Sequence, residues 1–463
     1  MTSSYASPFS WRYGSPAMRE LFSEETKRRM WRRLWLALAE AQAKAGLVTK
    51  AEIEDLRRFV DAVDIDAAHK IEAEVGHDLM AEVRVYASQA TVGGGKIHLG
   101  ATSMDVEDNV ETARLKQGLA LLTGSVRKLL EIFAERIDEF ADLPCMAYTH
   151  LQAAEPTTLG LRMSLWAQDL LFDYNDLWRV ERWLPSKGLR GAVGTSASYE
   201  ALLAGTGVRP EQVEKDVLGA LGLTSVDVTG QTYPRKLDYT VLSALAGLAA
   251  SCAKFGFDIR ILASSPFGEL GEPFGAKQVG SSAMPFKRNP ILCERICSIA
   301  RLVSANAQTA WQNAADNLLE RTLDDSANRR VILPESFLAA DEMVRLSTKV
   351  LKGLRVDKRR IEQNLASFGP FSGTEAVLMA ASKRGGDRQV LHEALRGASM
   401  RAYDAIARGE SNPLQSLLSE DPQVGRYVNP KELAAMMDPR AHTGSAALRA
   451  RAFAASLRDL EKA

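Results

Sequence analysis

Cysteine is scarce, with four in 463 residues (Cys145, Cys252, Cys293 and Cys297). That excludes a disulfide framework. Cys293 and Cys297 lie four apart on a predicted helix with no histidine or further cysteine nearby, which suits packing better than metal binding. Histidine is almost as rare, at six. None is spaced as HExxH or HxxEH, and neither CxxC nor G-x-S-x-G occurs. An excess of charge of one sign is missing too: 58 basic side chains balance 58 acidic ones. This excludes a globally basic nucleic-acid binder and an acidic tail protein. No stretch approaches 18 uninterrupted apolar residues, and residues 1–12 hold no apolar run of the signal-peptide kind. A soluble, reduced, cytosolic protein is expected, with no metal, membrane or nucleic-acid partner.

What is present is mostly helical texture. The chain is too long for one compact core. After an extended arm rich in Ser, Pro and Tyr expected over residues 1–20, helical patterns cover 23–45, 50–63 and 71–88, the last carrying His77-Asp78. Gly93-Gly94-Gly95 breaks the pattern, but no strand precedes it and no GxxxxGK[ST] follows, so a nucleoside triphosphatase is rejected. Beyond Asp105 the helices lengthen. Leu115, Leu119, Leu122, Val126, Leu129 and Phe133 recur at steps of four and three. Val241, Leu245, Leu248, Cys252, Phe255, Ile259 and Leu262 do the same over three heptads, as in helices packed nearly parallel. A polar connection spans 146–156, a further helix 158–184, and shorter helices follow from about Arg355. The expected fold class is all-α, in three domains at 1–104, 105–355 and 356–463. A long bundle of this kind buries its stripes most easily against copies of itself, so an oligomer is expected.

The notable polar residues gather in inter-helix breaks or at helix ends. They are His77-Asp78, His98 with Thr102-Ser103, Thr149-His150, Gln231, Ser281 with Lys287 and Asn289, and Arg321 with Ser326 and Arg330. With no metal or cofactor pattern, these suit a cofactor-free acid–base site that handles anions. The sharpest stretch is Gly280-Ser281-Ser282-Ala283-Met284-Pro285-Phe286-Lys287-Arg288-Asn289-Pro290. Small and turn-prone residues carry two serines toward a cationic pair, and Asn289 with Pro290 reads as the N-cap and first position of a helix over 291–303. Loop, cations and helix dipole all favour negative charge there, a setting that stabilises a serine alkoxide.

That stretch resembles the signature loop of the fumarase/aspartase superfamily. Ser10-Trp11-Arg12-Tyr13, His77-Asp78-Leu79-Met80, 97–103, Thr149-His150, 229–233 and 320–330 narrow the likeness to the adenylosuccinate lyase family, closest to the branch with the animal enzymes, over about residues 8–445. The resemblance implies an all-α, three-domain subunit. Its long central helices would form the core of a homotetramer, with active sites shared between three subunits. It implies elimination of fumarate from succinylated purine ribotides, with Ser281 as base and His150 as acid. Lys287, Asn289, Thr102 and Ser103 would stabilise the carbanion. Arg12, Tyr13, Arg321, Ser326 and Arg330 would grip the ribotide, and His77 and His98 would orient it. Gln231 and Arg295 match substrate contacts, and Asp78 either orients His77 or binds ribose. Gln152-Ala153-Ala154-Glu155, Pro234 and Phe286 depart from the family pattern at positions given no chemical role. Argininosuccinate lyase is the rival within the superfamily, and a non-catalytic lens-type protein the rival outside catalysis.

Overall fold

The computed structural model describes residues 5–275, 277, 280, 283–284 and 286–462. Ser281, Ser282 and Pro285 lie outside them. The architecture is all-α. Five long helices dominate: Ser103–Glu139, Leu159–Trp183, Lys236–Ala263, Ile291–Ala315 and Asp324–Lys352. Both heptad series are buried along their whole length within the chain. The Lys236–Ala263 helix is long and apolar enough to cross a membrane by composition, but its apolar seam is the one spent on this packing. The chain divides into two compact units. One comprises 1–125, 173–250 and 298–345, and the other 126–172, 251–297 and 346–463.

In the first unit, Trp31, Leu34, Trp35 and Leu38 of the helix Glu24–Ala43 pack with Leu56, Tyr86, Val106, Val110 and Tyr199. The arm is folded rather than extended. Pro8–Ser10 and Pro16–Leu21 form short helical turns, the second capped by Ser15 Oγ, which accepts from Met18 N at 3.2 Å. Gly14 N and Ser15 N donate to Glu342 and Asp341 at 3.2 and 2.5 Å, tying the arm to the helix Asp324–Lys352. The expected helix over 71–88 is two helices, Ile65–Val75 and Asp78–Gln89. Gly76 adopts φ +66°, a conformation that ends a helix without a Cβ penalty, and His77 then caps the next one. The expected helix over 50–63 stops at Phe59.

In the second unit, the polar connection proves to be a β-hairpin. Strands Pro144–Thr149 and Gln152–Thr158 pair antiparallel, with Thr149 opposite Gln152 and a bulge between Met146 and Tyr148. The hairpin packs on the helix Lys358–Phe368. Alternation is too short and too polar here to be read as strand against a helical background. A second two-residue pairing joins Leu270–Gly271 to Arg355–Val356. The C-terminal helices close over a separate core that includes Val377, Leu391, Leu395, Leu414, Leu418 and Leu433.

Candidate active site

The first unit gathers most of the expected ligand-binding residues. Thr102 and Ser103 stand where the helix Ser103–Glu139 begins. Thr102-x-x-Asp105 is spaced as a capping box, and Thr102 N donates to the Asp105 carboxylate at 3.1 Å while Asp105 N donates to Thr102 O at 3.0 Å. Asp105 is fully buried. It also accepts from the Lys187 ammonium, from Arg190 N and Gly191 N at 3.2 Å, and from Tyr199 Oη at 3.3 Å. One carboxylate therefore holds the start of the long helix to the 187–191 loop. Ser103 Oγ lies 3.2 Å from His77 Nε2.

His98 sits at φ +65°, a left-handed conformation rare for a residue with a Cβ. The Trp35 indole donates to its Nδ1 at 3.1 Å. Since indole only donates, Nδ1 must be the acceptor, and neutral His98 carries its proton on Nε2. Burial pushes its pKa down, against the opposing pull of Asp105. His98 is thus a neutral hydrogen-bond donor near neutral pH.

Asp78 pairs with Arg330. Its carboxylate accepts from Arg330 Nη1 at 2.8 Å, whereas His77 Nδ1 is 3.7 Å away. Burial raises its pKa, but Arg330 and Lys27 outweigh that and hold it below the usual range. Arg321 pairs with Asp325 at 2.9 Å. Asp325 in turn meets the buried Arg235 at 2.5 Å, within a network of Asp108, Asp238, Tyr233 and Arg329. Gln231 N donates to Glu320 O at 3.0 Å, and a Cβ on Gly230 would stand 2.8 Å from that same carbonyl oxygen. This close approach brings the Gln231 segment against the Arg321 segment. Asp78, Ser326 and Arg330 line a cavity of about 710 Å³. Arg12 is exposed, its guanidinium carbon 5.7 and 5.8 Å from the Trp11 and Tyr13 ring centres.

The second unit holds His150 at the hairpin tip. His150 and Leu151 have φ of 55° and 61°, the sign pattern of a type I′ turn, which normally takes Asn-Gly. Two side-chain-bearing residues in that region cost about 1–3 kcal/mol each, so the surroundings must hold the turn. Arg162 donates to Met146 O and, at 3.0 Å, to the fully buried Glu269. Tyr148 Oη and Asn364 Nδ2 reach the same carboxylate at 3.0 and 2.9 Å.

Asn289 does not cap the helix Ile291–Ala315 as expected. Its amide donates to Gly280 O at 3.0 Å, bridging the ends of the serine loop. The helix end is capped by the buried Glu272, which accepts from Leu292 N at 3.0 Å and Cys293 N at 3.1 Å. A distant carboxylate thus takes the positive end of the dipole. Burial pushes the Glu272 carboxyl up despite these two amide bonds. Lys287 is exposed and Arg295 half-buried. Ser281 lies outside the described residues. Among the described residues, no cluster of His, Cys, Asp or Glu could hold a metal. Trp35, Glu269 and Glu272 carry no local signal in the sequence. Only Asp105 had a local signal, its capping-box spacing.

Residues 12–304 match the family described as "Lyase", and 370–453 match "Adenylosuccinate lyase C-terminus". A 3-carboxy-cis,cis-muconate lactonizing enzyme from Pseudomonas putida superposes with a TM-score of 0.86 at 27% identity, over 97% of this chain and 99% of that one. A fumarate lyase from Mesorhizobium sp. BNC1 shares the fold, with a TM-score of 0.83 at 24% identity over 98% and 99%. The chain is therefore a lyase of the fumarase/aspartase superfamily. The adenylosuccinate lyase of Schizosaccharomyces pombe is 37% identical over 96% of this chain and 92% of its own, and that of Saccharomyces cerevisiae 38% over the same shares. This chain belongs to the adenylosuccinate lyase family.

Proposed function

We propose that the protein eliminates fumarate from adenylosuccinate, giving AMP, and from succinyl-aminoimidazole carboxamide ribotide in the same way. Ser281 as alkoxide takes a proton from the succinyl carbon beside the carboxylate. The carbanion's electron pair forms the C=C bond, the C–N bond breaks, and His150 protonates the departing nitrogen. Such acid–base help is typically worth about 10²–10⁴ in rate. Lys287, Asn289, Thr102 and Ser103 stabilise the carbanion, a contribution at least as large. Arg12, Tyr13, Arg321, Ser326 and Arg330 bind the ribotide, with the arginines on its phosphate. Neutral His98 and His77 orient the substrate, and Gln231 and Arg295 contact it. No cofactor takes part.

The observation that carries this reading is family membership along almost the whole chain with both Ser281 and His150 retained. The strained turn holding His150 supports it, since such strain collects at functional sites. We further propose a cytoplasmic homotetramer of three-domain subunits (1–104, 105–355 and 356–463), with active sites drawn from three of them. The side chains of Leu165, Phe172, Phe257 and Trp311 remain exposed on long helices, which supports burial against other copies. Purified protein should consume adenylosuccinate, followed by ultraviolet absorbance, and release fumarate. Release from argininosuccinate instead would overturn the substrate assignment.

A further inference from the structure

The cavity that includes Asp78, Ser326 and Arg330 has an opposite wall, formed by the helix Glu24–Ala43, to which no role has yet been given. Its charges are almost all matched. Arg28 meets Glu24 at 2.7 Å, Glu82 at 3.1 Å and Glu72 at 3.4 Å. Arg114 meets Glu111 at 2.9 Å, and Arg329 meets Asp238 at 2.7 Å. Arg330 pairs with Asp78 while half of its side chain stays exposed.

Lys27 differs. It lines the same cavity but makes no ion pair among the described residues, and its ammonium stands 4.9 Å from the Trp31 ring centre. Burial holds its pKa below the usual lysine range, partly offset by Asp78. A desolvated cation without a carboxylate is costly unless an anion arrives to meet it. Glu107, also in the wall, is faced by Asp78, Asp108, Arg330 and Lys27. Burial and the two neighbouring carboxylates push it up to about 7. Near neutral pH it is only partly ionised, and so matches the Lys27 charge only in part.

We propose that Lys27 is a phosphate ligand, which receives the 5′-phosphate of the ribotide between itself and Arg330. This rests on the ribotide reading above. The anion enters a cavity already carrying one positive charge matched only in part, and the Trp31 ring holds the ammonium in place. A phosphate dianion beside Glu107 favours its protonated form, so binding takes up a proton in the pH range where free Glu107 ionises.

The test uses full-length protein and the variants Lys27→Met, Lys27→Arg and Glu107→Gln. Lys27→Met keeps the packing on Trp31 and should raise KM for adenylosuccinate about ten- to a hundred-fold, the loss expected for a charge-assisted hydrogen bond. kcat should change little, and Lys27→Arg should restore most of the affinity. Calorimetric titration with inorganic phosphate should show the same order of binding. Wild-type affinity should fall as pH rises above about 7, and Glu107→Gln should flatten that fall. A folded Lys27→Met with unchanged KM and phosphate affinity would overturn the proposal, as would wild-type protein that binds no phosphate. Wild-type protein that binds phosphate through Lys27 but releases no fumarate would support the anion site and sink the ribotide reading instead.

Discussion

Replacing Glu269 by Gln tests how His150 is held. Glu269 is fully buried and accepts from Arg162, Tyr148 and Asn364. Tyr148 and Asn364 both donate to Oε1 and can keep those bonds to the oxygen of the new amide, which leaves the amide nitrogen facing Arg162 at the Oε2 position. Arg162 has no such remedy, because an amide carries no charge. Removing one partner of a buried ion pair costs about 3–5 kcal/mol. The side chain of Arg162 is 12% exposed, so the lower end of that range is expected. Arg162 also donates to Met146 O on the first strand of the hairpin, so its displacement reaches the turn four residues further on. A shift of about 1 Å in a catalytic group can cost about 10²-fold. Glu269→Gln should therefore lower both the melting temperature and kcat, the latter ten- to a hundred-fold by the same reasoning, with KM nearly unchanged. Arg162→Leu in that background removes the stranded charge and should recover stability without recovering kcat, since the Met146 bond stays lost. Melting curves and steady-state kinetics on the four proteins form a cycle. A single Glu269→Gln with wild-type melting and wild-type kcat would refute the reasoning.

Three further outcomes are expected. Ser281→Ala and His150→Gln should each fold and lose turnover by several orders of magnitude, yet regain partial activity when mixed and allowed to exchange subunits; no recovery under demonstrated exchange would argue against shared sites. Trp35→Phe removes the donor that fixes the His98 tautomer and should lower kcat/KM about ten-fold, the size of one hydrogen bond, checked beside the ¹⁵N chemical shifts of the His98 ring. Glu107 has a raised pKa in the folded protein, so the native state keeps its proton while the unfolded chain loses it. Its destabilising effect is absent below the ordinary value of 4.5, grows as pH rises and is complete above about 7. Glu107→Gln should therefore melt higher than wild type at pH 8, by roughly 3 kcal/mol at most, and alike at pH 4; equal melting at both would count against the shift.

Regular patterns were legible before the fold was known. The seams at Leu115–Phe133 and Val241–Leu262 follow from spacing alone and are buried as read. Signals that depend on a distant partner were not. Glu272 caps a helix twenty residues further along, and nothing near Asn289 shows that its amide is engaged elsewhere. The hairpin was missed because Gln152–Thr158 alternates weakly and its turn lacks the usual Asn-Gly. The break at Gly76 was legible in principle, since a glycine just before a capping residue is an ordinary helix stop. It was hidden by the helical period continuing on both sides. The candidate site residues come from motif resemblance, which reports identity without geometry. Hence the Asp78–Arg330 pairing and the His98 tautomer emerged only with side chains in place.

Asp105 has a consequence for how the protein breathes. The amides of Thr102, Arg190 and Gly191 share one buried acceptor with the Lys187 ammonium and the Tyr199 hydroxyl. Parting Lys187 from Asp105 would strand a buried charge, and the other donors share that acceptor, so these segments should open together. In deuterium exchange the amide of Thr102 and those of Arg190 and Gly191, far apart along the chain, should label at one common rate, as a single cooperative unit. Local motion that exposed Thr102 and Ser103 would then loosen the 187–191 loop in the same event, coupling two stretches of backbone that sequence distance would suggest are independent.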